Sequence, residues 1–319
     1  MRAAPTPDGL AARTGRAVAA AAGAGRALGL TVSEPRVLHD VFSVVVHLAP
    51  SPVVVRVSTV LPRTVLADPV GQQAQQRAEL AVAGWLADRG HPVVAPSPLV
   101  PREPVRRDGL SMTFWSLVHE APGAQLDAGR RARLTADLHA ALREYPAEPA
   151  FLVPLDASIP DGLARLADRP ELLDAADLAR ARREWTLLEP LVSSRGAFEE
   201  AFAGPRLQAL HGDAPFWNVI VTADGELCSD FEHVCLGPVE WDLALAGAEL
   251  HAAYDASAIR LGLRPLDPRL LGVMESARML QVVASLAVAR EVPGLAGWLA
   301  PVLGSWRATP LAGGLAEAE

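Results

Sequence analysis

The chain has 319 residues, half of them hydrophobic, and a formal net charge of −8, a length too great for one small core and suited to two lobes. The acidic balance argues against a general nucleic-acid binder, whose electrostatic footprint is basic. Two cysteines, Cys228 and Cys235, exclude a disulfide framework and make a poor zinc site, and with no lysine present all 29 basic residues are arginine, which excludes any mechanism that needs a lysine.

Residues 9–29 carry Ala, Leu and Arg at helical spacing and predict an N-terminal helix; they lack the single apolar core and cleavage site of a signal peptide. Val37–Leu38, Phe42–Leu48 and Val53–Ser58 read as β-branched strands of an antiparallel meander. A helix from about Gly71 to Arg89 is stopped by Gly90 and Pro92, and Leu110–Val118 forms a further strand. Ala121-Pro122-Gly123 marks a boundary, giving an N-lobe over 1–120 and a C-lobe over 121–319. Beyond it the chain turns helical: Asp127–Glu144, at least two helices over 161–203 with Pro170 and Pro190 as punctuation, and most of 241–306. The tail after Arg307 is expected to fray. No stretch reads as both long and apolar enough to span a bilayer, since the richest, Leu280–Ala289, is interrupted by Gln281. The expected location is the cytoplasm, with no membrane or nucleic-acid partner.

The chemistry concentrates in Leu210-His211-Gly212-Asp213-Ala214-Pro215-Phe216-Trp217-Asn218-Val219-Ile220, followed by a predicted hairpin and Ser229-Asp230-Phe231-Glu232. Phosphoryl transfer needs a carboxylate to orient and deprotonate the attacking hydroxyl, and oxygen ligands for the magnesium that bridges the phosphates. Asp213 suits the first task; Asn218, five residues on, and Asp230, after the hairpin, suit the second. Each residue alone is an ordinary turn-former; their joint spacing carries the signal.

These segments resemble the aminoglycoside phosphotransferase and choline kinase group, distant relatives of protein kinases. The group's catalytic loop reads His-Gly-Asp, four residues, Asn and an apolar residue, with a metal-binding Asp after a short strand. Gly237-Pro238 with Trp241-Asp242-Leu243-Ala244, Pro122-Gly123 and Leu138-His139 also fit, so the resemblance spans roughly 36–250. It implies a bilobal, protein-kinase-like α+β fold, with an N-lobe antiparallel sheet plus helix and a mainly helical C-lobe. It also implies Mg2+ and ATP, with GTP not excluded. His211 is then expected to hold backbone, and Asp242 to steady the loop.

Kinases place a cation on the third strand, paired with a helix Glu and the phosphates. Here Arg56 in Val53-Val54-Val55-Arg56-Val57 takes that place, with Glu79 as partner; on an alternating strand Arg56 could instead face solvent, and Glu79 could be a surface residue. The turn His39-Asp40-Val41-Phe42-Ser43 has no glycine, a departure from the group, leaving Ser43 to meet phosphate. Adenine would lie against Leu117-Val118-His119-Glu120, so Val118 and Glu120 join the nucleotide set.

The group phosphorylates hydroxyls of small molecules, so the expected partner is a hydroxyl acceptor such as an aminoglycoside or amino sugar, and the acidic balance is compatible with a cationic one. The protein would act as a monomer or homodimer. Glu232, His233, Glu240, Glu249 and Asp255 could face the acceptor, and of the tryptophans Trp217, beside Asn218, stands out from those more simply read as core. Two other readings are a kinase-fold binding protein without catalysis and a metal-dependent hydrolase using His211, Asp213 and Asp230. The intact Asp213, Asn218 and Asp230 disfavour the first, and the sparse His and carboxylate set disfavours the second.

Overall fold

The computed structural model describes residues 7–202, 204 and 207–317. These divide into two compact units. The first holds the chain up to Ala121 with Thr222–Leu227 and Val288–Pro293; the second holds Pro122–Val221, Cys228–Ala287 and the residues from Gly294 on.

In the first unit, α1 (Pro7–Ala27) precedes β1 (Val32–Asp40), β2 (Ser43–Pro50) and β3 (Val53–Ser58). Helices α2 (Arg63–Ala67) and α3 (Pro69–Ala87) follow, then β4 (Val105–Arg107) and β5 (Leu110–Ser116). The strands form one antiparallel sheet in the order β1-β2-β3-β5-β4. Period-two alternation gives the sheet two different faces. Val44, Val46, Leu48, Val53, Val55 and Val57 pack with Ala17, Ala20, Ala21 and Ala24 of α1. Gly25 lets that helix lie close, because a Cβ there would meet Leu48 at 2.5 Å. On the other parity Arg56 stands opposite Val45 on one side and Thr113 on the other. Polar residues of α3 are buried too: Glu79 pairs with Arg56, and Ser111 donates to Gln76 at 2.5 Å.

The first strand is longer than the Val37–Leu38 read from sequence. An edge strand tolerates Pro35, and its mostly exposed residues carry no alternation to read. Strand β5 ends at Ser116, two residues short of the expected Val118, and the three-residue, arginine-bearing β4 gave no periodic signal.

The second unit begins with α4 (Ala128–Leu142), whose first turn Asp127 caps by accepting from the Arg130 N–H at 2.6 Å. Then come α5 (Val153–Leu166), α6 (Ala175–Val192), α7 (Arg195–Ala201), β6 (Gln208–Leu210), the hairpin β7 (Val219–Thr222) and β8 (Gly225–Cys228), of which Thr222–Leu227 count with the first unit, and β9 (Cys235–Gly237), which pairs with β6. Helices α8 (Val239–Leu243), α9 (Ala248–Arg260), α10 (Pro268–Ser285) and α11 (Leu295–Ala308) complete it. Pro190 lies inside α6, in its last turn, instead of ending it. Residues Leu311–Glu317 form 3-10 turns, and the buried Ala312 N–H donates to Glu184 where fraying was expected.

Pro268–Val288 is, by length and composition, long and apolar enough to cross a membrane, contrary to the expectation from sequence. In the fold half of that span is buried, and Leu270, Val273, Met274, Ala277, Leu280, Val283 and Ala284 belong to the core of the second unit.

Candidate active site

The loop leaving β6 is set by one glycine and one carboxylate. Gly212 has φ 87°, and a Cβ on it would meet the His233 carbonyl oxygen at 1.8 Å, so no other residue fits. The fully buried Asp242 of α8 accepts the Gly212 N–H at 2.7 Å and the His211 N–H at 3.0 Å. His139 on α4 donates to the same carboxylate through Nε2 at 3.0 Å, which leaves its Nδ1 to accept from the Tyr254 hydroxyl at 2.8 Å. The Trp241 indole donates to the Gly212 carbonyl at 2.9 Å.

His211 holds backbone. Its Nε2 donates to the Ser229 carbonyl at 2.8 Å and its Nδ1 accepts the Asp213 N–H at 3.3 Å, which joins the loop to the segment before Asp230. The Asn218 amide donates to the Asp213 carbonyl at 2.6 Å, so its carbamoyl oxygen is turned away from the loop. The Asn218 carbonyl accepts from the Ser229 N–H and hydroxyl at 2.9 and 3.2 Å, which puts Asp230 one residue past a fixed contact. Asp230 is exposed and adopts φ 62°, and Ala214 has φ 41°. Left-handed backbone at non-glycine residues costs about 1–2 kcal/mol each, and two of the six such residues among those described fall in this loop system.

Asp213, its side chain 39% exposed, is met by Arg278 Nη1 at 3.2 Å on Oδ1 and by His233 Nδ1 at 3.6 Å on Oδ2. Packing pushes the Asp213 carboxyl up, but the contact with His233 and the guanidinium of Arg278 win and hold it well below the ordinary carboxylate range. It is therefore ionised and able to accept a hydrogen bond at any physiological pH.

In the first unit Arg56 and Glu79 come together. One Arg56 nitrogen reaches both Glu79 oxygens at 2.6 Å, Glu79 being fully buried and Arg56 9% exposed. The solvent-facing alternative for Arg56 is thereby excluded. Ser43 opens β2 opposite Ser58, at the same end of the sheet. The turn before it is anchored: Asp40 accepts from Arg13 and Thr14 of α1, and the Phe42 carbonyl from the Thr59 and Val60 N–H groups. Val118 and Glu120 lie past the end of β5, Val118 half-buried and Glu120 exposed.

Residues 44–272 match the family described as the phosphotransferase enzyme family. The chain belongs to that family. Among solved structures, the choline kinase LicA from Streptococcus pneumoniae is similar with a TM-score of 0.60 at 11% identity, covering 91% of this chain and 99% of that one. Amicoumacin kinase hAmiN, in complex with AMP-PNP, Ca2+ and Ami, gives 0.56 at 12%, covering 91% and 93%. An aminoglycoside phosphotransferase of the APH(2") type, in complex with GDP and kanamycin, gives 0.53 at 15%, covering 88% and 93%. No curated protein matches the sequence. At these identities the structural likeness shows the fold alone, a bilobal kinase-like α+β fold.

Several residues of this phosphotransferase that hold the loop carry no local signature. Arg278 sits in the middle of α10, 65 positions from Asp213; a charge within a span apolar enough for a membrane was the available signal, one it shares with Arg269 and Glu275. Tyr254 is likewise remote, and its only trace was its partner His139, in the Leu138-His139 pair that fits the family pattern. Of the residues considered for an acceptor, Glu240 is buried and bound by Arg264 through two contacts at 2.5 and 2.8 Å, and Asp255 accepts the Leu266 N–H at 2.8 Å. Both are tied to structure. His233 stays beside Asp213. Trp241 and Trp306 are core, whereas Trp217 is 67% exposed with the Arg131 guanidinium 4.6 Å from its ring centre. A cavity of about 470 Å³ lined by Arg143, Gln208, Tyr254 and Arg264, among others, includes none of Asp213, Asn218 and Asp230.

Proposed function

We propose that the protein transfers the γ-phosphoryl group of ATP, or of GTP, to a hydroxyl of a small molecule. The observation that carries this reading is the Asp213 loop. A solvent-accessible, ionised carboxylate stands on backbone clamped by Asp242, and Asn218 and Asp230 are tied to it through Ser229.

Asp213 accepts the hydrogen bond of the acceptor hydroxyl and aligns its oxygen for in-line attack. As the bond from that oxygen to phosphorus forms and the bond to the β-phosphate oxygen breaks, the hydroxyl proton passes to Asp213, and the nucleoside diphosphate leaves with the bonding electron pair. The residues fit magnesium: the Asn218 carbamoyl oxygen faces away from its loop, and the Asp230 carboxylate is exposed, both hard oxygen donors. Among the described residues no three His, Cys, Asp or Glu cluster as a cage; magnesium bound with a nucleotide needs none, because waters and phosphate oxygens complete its shell. When bound, the ion neutralises charge on the phosphates. Arg56, oriented by Glu79, would contact the phosphates as a permanently charged donor. The Ser43 hydroxyl would add a donor, and the backbone at Val118 and Glu120 would meet the base.

The first acceptors to assay are amino sugars and aminoglycosides, since kanamycin accompanies a similar structure. The test is magnesium-dependent ADP release across such a panel with Asp213→Ala as control. That variant should lose about 10²–10⁴-fold in turnover and keep its nucleotide affinity. Near-normal turnover in Asp213→Ala would remove the assignment.

A further inference from the structure

We propose that Arg278 is a positioning residue that fixes the rotamer of Asp213, so that Oδ2 is the oxygen presented to the acceptor. The inference rests on Asp213 being the base. Arg278 projects from α10 among the buried Met274, Ala277 and Leu280, with its side chain 9% exposed. A guanidinium in such surroundings is costly unless its donors are met. The terminal donors are met, chiefly by the catalytic loop, and the buried Nε is left without a partner.

Nη2 donates to the Gly212 carbonyl at 3.0 Å, and Nη1 donates to Asp213 Oδ1 at 3.2 Å and to Gln281 Oε1 at 2.9 Å. The guanidinium carbon lies 3.7 Å from the centre of the Trp241 ring, and Trp241 itself donates to the Gly212 carbonyl. The plane of the guanidinium is thus set by the indole. Its two terminal nitrogens then gauge the backbone of one loop residue and the carboxylate of the next. A planar fork can do this and an ammonium cannot.

The remaining atoms of Asp213 explain why this matters. Its backbone is fixed through His211 and Asn218, but at 39% exposure its side chain would otherwise be free to rotate. With Oδ1 hydrogen-bonded to Arg278, Oδ2 is the freer of the two oxygens to accept from a substrate hydroxyl, beside His233 Nδ1 at 3.6 Å. Asp242 therefore sets the backbone of the loop and Arg278 sets the side chain of the base. Gln281, held on its far side by Ser158 and the Pro154 carbonyl of α5, keeps Nη1 from swinging away.

The experiment uses the full chain with MgATP and water as acceptor, which needs no knowledge of the natural acceptor. Misplacing a catalytic group by about 1 Å costs on the order of 10²-fold, so Arg278→Ala should lower kcat by about 10- to 100-fold while the MgATP Kd measured by calorimetry moves less than about twofold. Guanidinium ion at tens of millimolar should restore part of the lost kcat in Arg278→Ala and none in wild type. In an Asp213→Asn background Arg278→Ala should cost nothing more, because the group it positions is gone. Should Arg278→Ala not fold, Arg278→Lys carries the test: it keeps the charge, loses the fork, and should show the same kcat loss with nucleotide affinity retained. A folded Arg278→Ala or Arg278→Lys with wild-type kcat overturns the proposal, as does an equal loss in the Asp213→Asn background. Undiminished ADP release by Asp213→Asn alone would instead overturn the reading of Asp213 as base.

Discussion

Asp242→Asn isolates what the buried carboxylate does for the loop, since it keeps the shape and removes one acceptor. In the native protein Oδ1 accepts the Gly212 N–H at 2.7 Å, while Oδ2 accepts the His211 N–H and His139 Nε2, each at 3.0 Å. If the new amide keeps its oxygen toward Gly212, its NH2 group faces two donors. The His139 ring can adapt by carrying its proton on Nδ1 and donating to Tyr254. The His211 N–H cannot adapt, and an orphaned buried donor costs about 1–3 kcal/mol, with a further loss as the Gly212 contact ceases to be charge-assisted. A total near 2–4 kcal/mol corresponds to a fall in Tm of roughly 5–15 °C for a unit of this size. Because Gly212 precedes Asp213, the proposed base, kcat should fall while nucleotide affinity is kept. Thermal unfolding followed by circular dichroism, with ADP release on the same preparation, measures both. An unchanged Tm with unchanged kcat would show that the two N–H groups find other acceptors and would refute the clamp.

Arg56→Met keeps the apolar bulk of β3 and should weaken nucleotide binding by roughly ten- to a hundredfold, the worth of one charge-assisted contact; calorimetry giving wild-type affinity would require another phosphate clamp. Asp230→Ala should weaken both MgATP binding and turnover, and Asn218→Ala should do so more mildly, because a neutral ligand contributes less than a charged one; unchanged MgATP affinity in Asp230→Ala contradicts its role. The two cysteines are buried, and burial pushes the Cys228 thiol up to about 12 and Cys235 upward as well. A raised thiol pKa means the reactive thiolate is absent until the pH rises toward that value, so at pH 8 a disulfide reagent should react with neither thiol until denaturant is added. Rapid labelling of the folded protein would contradict the packing around β8 and β9.

What the sequence made legible was whatever is local. Asp213, Asn218 and Asp230 follow one another at short spacing, so the chemistry they can share is visible in the string, and β3 and α3 announce themselves by β-branched and helical periodicity. Arg56 and Glu79 could be paired because each stands in a recognisable element, although only the structure decides between the buried pair and a solvent-facing arginine. The supports were hidden because they are long-range: His139 reaches Asp242 across 103 positions and Tyr254 across 115. A three-residue strand such as β6 or β9 is too short to show a period, yet pairing them is what sets His211 at the start of the loop. Glu240 was misread as open to an acceptor because nothing in its neighbourhood of sequence reveals Arg264, 24 positions on.

The pairing of Arg56 with Glu79 in a chain that has no side-chain amine anywhere has a consequence for chemical probes. Nucleotide analogues that acylate or sulfonylate an active-site lysine find no target here, so the protein would escape labelling methods that recognise kinases by that amine. Dicarbonyl reagents, which condense with guanidinium groups, are the matching chemistry. The guanidinium also has no neutral form within reach of ordinary buffers. The Arg56–Glu79 contact can therefore be opened by moving the strand and helix apart, and alkaline titration of the cation, the route open to a lysine, does not exist.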